Sequence, residues 1–170
     1  MSLTTREFWT ALHGMLAGAV YLLAFTGGLA GLWSLRKWAL TPEGMRERMT
    51  RLLGGLWTMA IMCWITVVSG TYIVYPWYRA GIPESPRSSL LADEATAAWH
   101  TFGMEWKEHV AWIAPILATV VAIIVHLYRE QLAERDDLRR STLILLVLAF
   151  AAAAVAGLFG AFITKVAPLL

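Results

Sequence analysis

Apolar positions in this chain do not alternate with polar ones; they run together in four long blocks, at about residues 9–35, 52–75, 106–128 and 142–166. Each block meets the roughly 20 residues that a helix needs to cross a hydrocarbon layer about 30 Å thick. Backbone groups in lipid must be satisfied within the segment, and the two-residue alternation of a barrel strand is absent, so each block is predicted to be a spanning helix. The expected fold is all-α: one integral membrane four-helix bundle over residues 1–170, with an outer loop at about 76–105. The first block is read as a retained helix. It is long for a signal peptide, only Arg6 precedes it, and no small-residue cleavage site follows.

Composition agrees with the pattern. Hydrophobic residues make up 58% and charged residues 15%, with a mean hydropathy of +0.59, more apolar than a soluble domain of this size sustains. A net charge of +2 without any Lys/Arg-rich run argues against a nucleic-acid partner. The one cysteine, Cys63, precludes an intramolecular disulfide, and no Cys-x-x-Cys-His is present to attach a c-type haem covalently. Phosphate-binding loops and nucleophile elbows are absent too, which leaves soluble-enzyme chemistry nowhere to sit.

Charge sets the expected orientation. The two connections between helices 1 and 2 and between helices 3 and 4 carry nine basic residues: Arg36, Lys37, Arg46, Arg48, Arg51, Arg129, Arg135, Arg139 and Arg140. The other side carries five: Arg6, Arg79, Arg87, Lys107 and Lys165. A multi-pass inner-membrane protein with both termini extracytoplasmic is therefore expected. Tyr72, Tyr75, Trp77 and Tyr78 mark the outer end of helix 2, and Trp9 and Trp106 the outer ends of helices 1 and 3. In the outer loop, Pro76, Pro83 and Pro86 predict an irregular first half, and residues 93–102 a short amphipathic helix with Trp99 and Phe102 on the membrane surface.

Ionisable side chains inside a membrane span are costly and mark functional candidates. His13 follows Trp9 by four residues and His109 follows Trp106 by three, which puts the two imidazoles at one depth on parallel helices. Such a pair can ligate one non-covalent haem b from opposite faces, near the outer surface. Gly14, Gly70 and Gly160 would give a macrocycle room, and Arg79 and Lys107 would face its propionates. The bland alternatives are a polar anchor for each histidine and close helix packing for the glycines. His126 lies about 25 Å further along helix 3, near the inner surface, and is read as an interfacial histidine rather than a second haem ligand. Pro115 is expected to kink helix 3.

The stretches TYIVYPWYR (71–79) and WHTFGMEWKEHVAW (99–112) stand out as motif-like. Four helices with histidines paired at one depth resemble small membrane b-type cytochromes, as architecture. The resemblance implies one haem b per chain and an electron-transfer subunit of a larger membrane complex, exchanging electrons with a quinol or a periplasmic cytochrome c. Two other readings stay open: a cofactor-free structural or assembly subunit, and a quinone or metal site built from His13, His100, Glu105 and His109, with Met15 or Met104 if the metal is copper.

Overall fold

The computed structural model describes residues 3–36 and 41–168, and among these all regular structure is helical. Lys37 of the inner-loop cations lies outside the described residues. In chain order come α1 (Thr5–Ser34), α2 (Pro42–Tyr78), the short α3 (Pro86–Leu91), α4 (Glu94–Leu127), the short α5 (Gln131–Glu134) and α6 (Asp136–Val166). The four long helices are long and apolar enough to cross a membrane.

Each spanning helix extends beyond its apolar block, because polar turns stay helical when their ends are capped. Thr4 and Glu7 form a reciprocal capping box ahead of α1. The Thr41 hydroxyl accepts from the Gly44 N–H at 3.1 Å, and Pro42 occupies the first turn of α2. Asp93 caps α4 through the Ala95 N–H at 2.9 Å. The largest departure from expectation is here: the amphipathic segment runs on into the third spanning helix, so His100 belongs to α4. The connection between the spanning helices shrinks to about residues 79–93. Pro115 coincides with a break, since helical pairing lapses at Ala111 and Trp112 before resuming at Ile113.

The helices pack in a ring in which α1 meets α2, α2 meets α4, α4 meets α6, and α6 closes on α1. The α1/α2 seam is tight because glycine removes side chains: a Cβ on Gly28 would lie 2.9 Å from Leu56 Cδ2, and one on Gly31 3.0 Å from Leu52 Cδ1. These contacts run in opposite senses along the two chains, as antiparallel neighbours require. Phe25 stacks on Phe150 to close α1 on α6, with ring centroids 4.0 Å apart. The Trp64 indole donates to Thr119 Oγ1 at 3.0 Å between α2 and α4. Leu32, Leu56, Met59, Val121, Val125 and Leu146 fill the interior, while Leu23, Ile65, Ile116, Ile144 and Leu148 face outward. An outward apolar face of this kind is what a bilayer solvates.

One end of the bundle holds the start of α1, the finish of α6 and the α2–α4 connection; it is called the terminal end below. At the opposite end Arg139 is buried, donating to Leu132 O at 3.2 Å and pairing with Asp136.

Candidate functional site

Three of the four spanning helices widen into a π-helical turn near the terminal end: Leu12–Leu16 in α1, Gly70–Val74 in α2 and Trp99–Met104 in α4. A π-turn inserts an extra residue and rotates the following side chains, and such turns gather at functional sites. His13 lies in the first, Gly70 opens the second, and His100 lies in the third. The polar side chains of the bundle collect around them.

His13 is half-buried, pressed on α2. A Cβ on Gly70 would lie 2.5 Å from His13 Cε1 and 3.2 Å from each ring nitrogen, so only glycine leaves room for the imidazole. His13 Nδ1 is 3.3 Å from Ser69 Oγ. That hydroxyl spends its own hydrogen on Thr66 O at 3.2 Å, so it accepts from Nδ1–H and leaves His13 Nε2 a free acceptor.

Lys107 also points into the bundle, against α6. A Cβ on Gly160 would lie 3.0 Å from Lys107 Nζ. Gly70 and Gly160 thus make room for His13 and Lys107 themselves. Gly14, by contrast, has nothing within 4 Å of where a Cβ would stand. Lys107 lies within electrostatic reach of His13 on α1 and of its own chain neighbour Glu108. Glu108 Oε1 is buried with no hydrogen-bond partner. His13, Lys107 and Glu108 are each half-buried, and His13 Nε2 and Glu108 Oε1 are acceptors without a donor.

A second, fully engaged network lies beside it. The Arg87 Nε–H donates to His100 Nε2 at 3.2 Å. Guanidinium cannot accept, so the neutral His100 ring carries its hydrogen on Nδ1 and donates it to the Tyr78 hydroxyl at 2.9 Å. Arg79 Nη2 donates to Glu105 Oε1 at 3.0 Å, with its guanidinium 5.3 Å from the Tyr75 ring centroid. Glu105 Oε1 is 3.9 Å from His100 Nε2. Tyr78 and His100 are both buried. Arg79 therefore faces a carboxylate rather than an open cavity.

His109 sits on the exposed side of α4, and its Nδ1 donates to Glu105 O at 2.6 Å. Its Nε2 is free, and its ring is exposed whereas the His13 ring is half-buried against α2. His126 is exposed at the opposite end, with Arg129 bound to its backbone oxygen at 3.1 Å. Among the described residues no group of three or more His, Cys, Asp or Glu side chains is placed to share a metal ion. Deeper in the bundle, the buried Tyr21 hydroxyl has no partner and lies near the buried Cys63 thiol.

Tyr78 and Arg87 are the participants that sequence reasoning did not place at the site, while Glu108 and Ser69 stood beside residues it had singled out. The available signal was the matched three-residue spacing of Tyr75 with Tyr78 and of Glu105 with Glu108, on segments joined by the same connection. No known protein family, characterised protein or solved structure matches this chain.

Proposed function

We propose that this chain is a subunit of an inner-membrane electron-transfer complex that binds a quinol at its terminal end, which lies on the extracytoplasmic side. The observation that carries the reading is the pair of unused acceptors, His13 Nε2 and Glu108 Oε1, at the same end of the bundle as the half-buried Lys107. A quinol presents two hydroxyl donors on a flat apolar ring. It partitions into the bilayer, and it gives up two protons and two electrons on oxidation. His13 and Glu108 supply the two proton acceptors, and Lys107 stabilises negative charge on the oxygen losing its hydrogen. The electrons pass to a redox centre in a neighbouring subunit or to a periplasmic cytochrome c. Gly14, Gly18 and Gly157, each without a neighbour within 4 Å of a Cβ, leave space for a ring approaching from lipid.

Titration of the purified protein with a short-chain ubiquinol, followed by tryptophan fluorescence, tests this. Saturable quenching is expected, weakened about tenfold by His13→Ala or Glu108→Gln, as loss of a hydrogen bond to a charged or buried group implies. His126→Ala should bind as the wild type does. Absence of saturable quenching overturns the reading.

The haem b reading keeps one specific support. His13 and His109 each use Nδ1 as a donor and leave Nε2 free, which is how an axial imidazole is held. In that case the two would be the axial ligands, and the haem would carry the electron. A pyridine haemochrome assay decides it: one haem b per chain supports the reading, and none in folded protein removes it. Failure of both assays leaves the structural or assembly role.

A further inference from the structure

The seam between α1 and α6 is the least extensive of the ring's four. Phe25 and Phe150 stack across it. On the side of that stack away from the terminal end, the seam opens into a groove of about 260 Å³. Leu29 and Trp33 line it from α1, and Leu143, Ile144, Val147 and Leu148 from α6. The Trp33 indole is 67% exposed, and the other lining side chains are aliphatic. Because α1 runs away from the terminal end and α6 toward it, the last turn of α1 and the first turns of α6 form the groove's mouth.

Two cations stand at that mouth. Arg140 precedes Leu143 and Ile144 by three and four residues, which puts it one turn from them on the same face of α6. Arg36 follows Trp33 by three residues, just past the end of α1. Both are exposed, and both lie within electrostatic reach of Asp136 at the start of α6. The carboxylates there are committed to other partners: Asp136 pairs with the buried Arg139, and Asp137 with Arg135 at 2.7 Å. Among the described residues, neither Arg36 nor Arg140 has an ion-pair partner.

We propose that this groove binds one anionic phospholipid, with an acyl chain along Leu29, Ile144 and Val147 and the phosphate between Arg36 and Arg140. A phospholipid presents an apolar chain and then a charged head, and the groove offers an apolar slot and then a cationic mouth in the same order. Trp33 stands between the two, where an indole covers the top of the chain and turns its N–H to the ester oxygens. Basic positions between spanning helices at a membrane surface are where anionic headgroups bind. A zwitterionic lipid has the same chains, but its own cation offsets what the arginines gain from its phosphate. A second copy of an apolar helix would fill the slot and leave both arginines without an anion. The site is independent of the quinol reading, since it lies at the other end of the bundle.

The test is native mass spectrometry of the full chain in mild detergent, titrated with dioleoyl phosphatidylglycerol and, separately, dioleoyl phosphatidylcholine. One phosphatidylglycerol per chain should be held at least about tenfold more tightly than phosphatidylcholine. Arg36→Gln and Arg140→Gln should each weaken it about fivefold, and the double variant about 25-fold. Arg51→Gln is the control, since it removes the same charge at the same end of the bundle from an exposed pair with Glu47, and it should bind as the wild type does. Val147→Trp keeps both arginines but fills the slot, and should weaken binding at least about tenfold. Leu148→Phe repeats that test at the next lining position if the first variant folds poorly. Neither glycerol 3-phosphate nor a short-chain ubiquinol should displace the lipid. Equal retention of the two lipids overturns the proposal, as does an affinity unchanged in the double variant or in both filling variants. Displacement by glycerol 3-phosphate or by ubiquinol overturns it too, and so does a lipid-free dimer that the filling variants dissociate.

Discussion

Gly70→Ala is the sharpest test of how the site is packed. A methyl group there would stand 2.5 Å from His13 Cε1, far inside the ordinary contact range, with ring nitrogens at 3.2 Å on either side. The imidazole must swing away and release Ser69. Overpacking of this kind costs about 1–3 kcal/mol, and the lost hydrogen bond adds about 0.5–1.5 kcal/mol. Alanine returns up to about 1 kcal/mol through its better helix propensity. The net expectation is a loss of about 1–3 kcal/mol, measured by SDS-induced unfolding in mixed micelles. Gly157→Ala is the control: with nothing within 4 Å of its Cβ, it should be neutral or stabilising. Adding His13→Ala to Gly70→Ala opens the space again, so the two changes should couple by at least about 1 kcal/mol in a double-mutant cycle. Equal stability of Gly70→Ala and Gly157→Ala would refute the packing argument.

Two other expectations concern the rest of the bundle. Reporter fusions should place the C-terminus and the 79–93 connection on the extracytoplasmic side and residues 130–137 in the cytoplasm; an active cytoplasmic reporter at the C-terminus would reverse the assignment. Arg139→Ala should lower stability by about 1–3 kcal/mol, because it leaves Leu132 O and the Asp136 carboxylate without their buried donor; unfolding of the variant at the wild-type midpoint would contradict that.

The four spans were legible from hydropathy because lipid imposes one rule on every turn that it touches. The helix ends were not, since Pro42–Arg51 and Glu94–Glu105 are polar and their helical state depends on the caps at Thr41 and Asp93. A polar segment next to a membrane reads as a loop unless its N-cap is given weight. The aromatic run around Tyr75 and Tyr78 was noticed for its place at the interface, while its hydrogen-bonding role depends on contact with a segment more than twenty residues away.

The amino-acid order determined that this chain forms four long helices apolar enough to cross a membrane, because length, apolarity and backbone satisfaction are local properties. It also predicts that His13 and His109 stand at similar depth, through a fixed rise per residue. Only the tertiary structure decided which way they face. A regular helix turns 100° per residue, but a π-turn inserts a residue and shifts every later side chain around the axis. With such turns at Leu12–Leu16, Gly70–Val74 and Trp99–Met104, helical-wheel bookkeeping loses its phase at the level where the chemistry sits. That is why Lys107 and Glu108 face inward, His109 faces outward, and His13 meets Gly70.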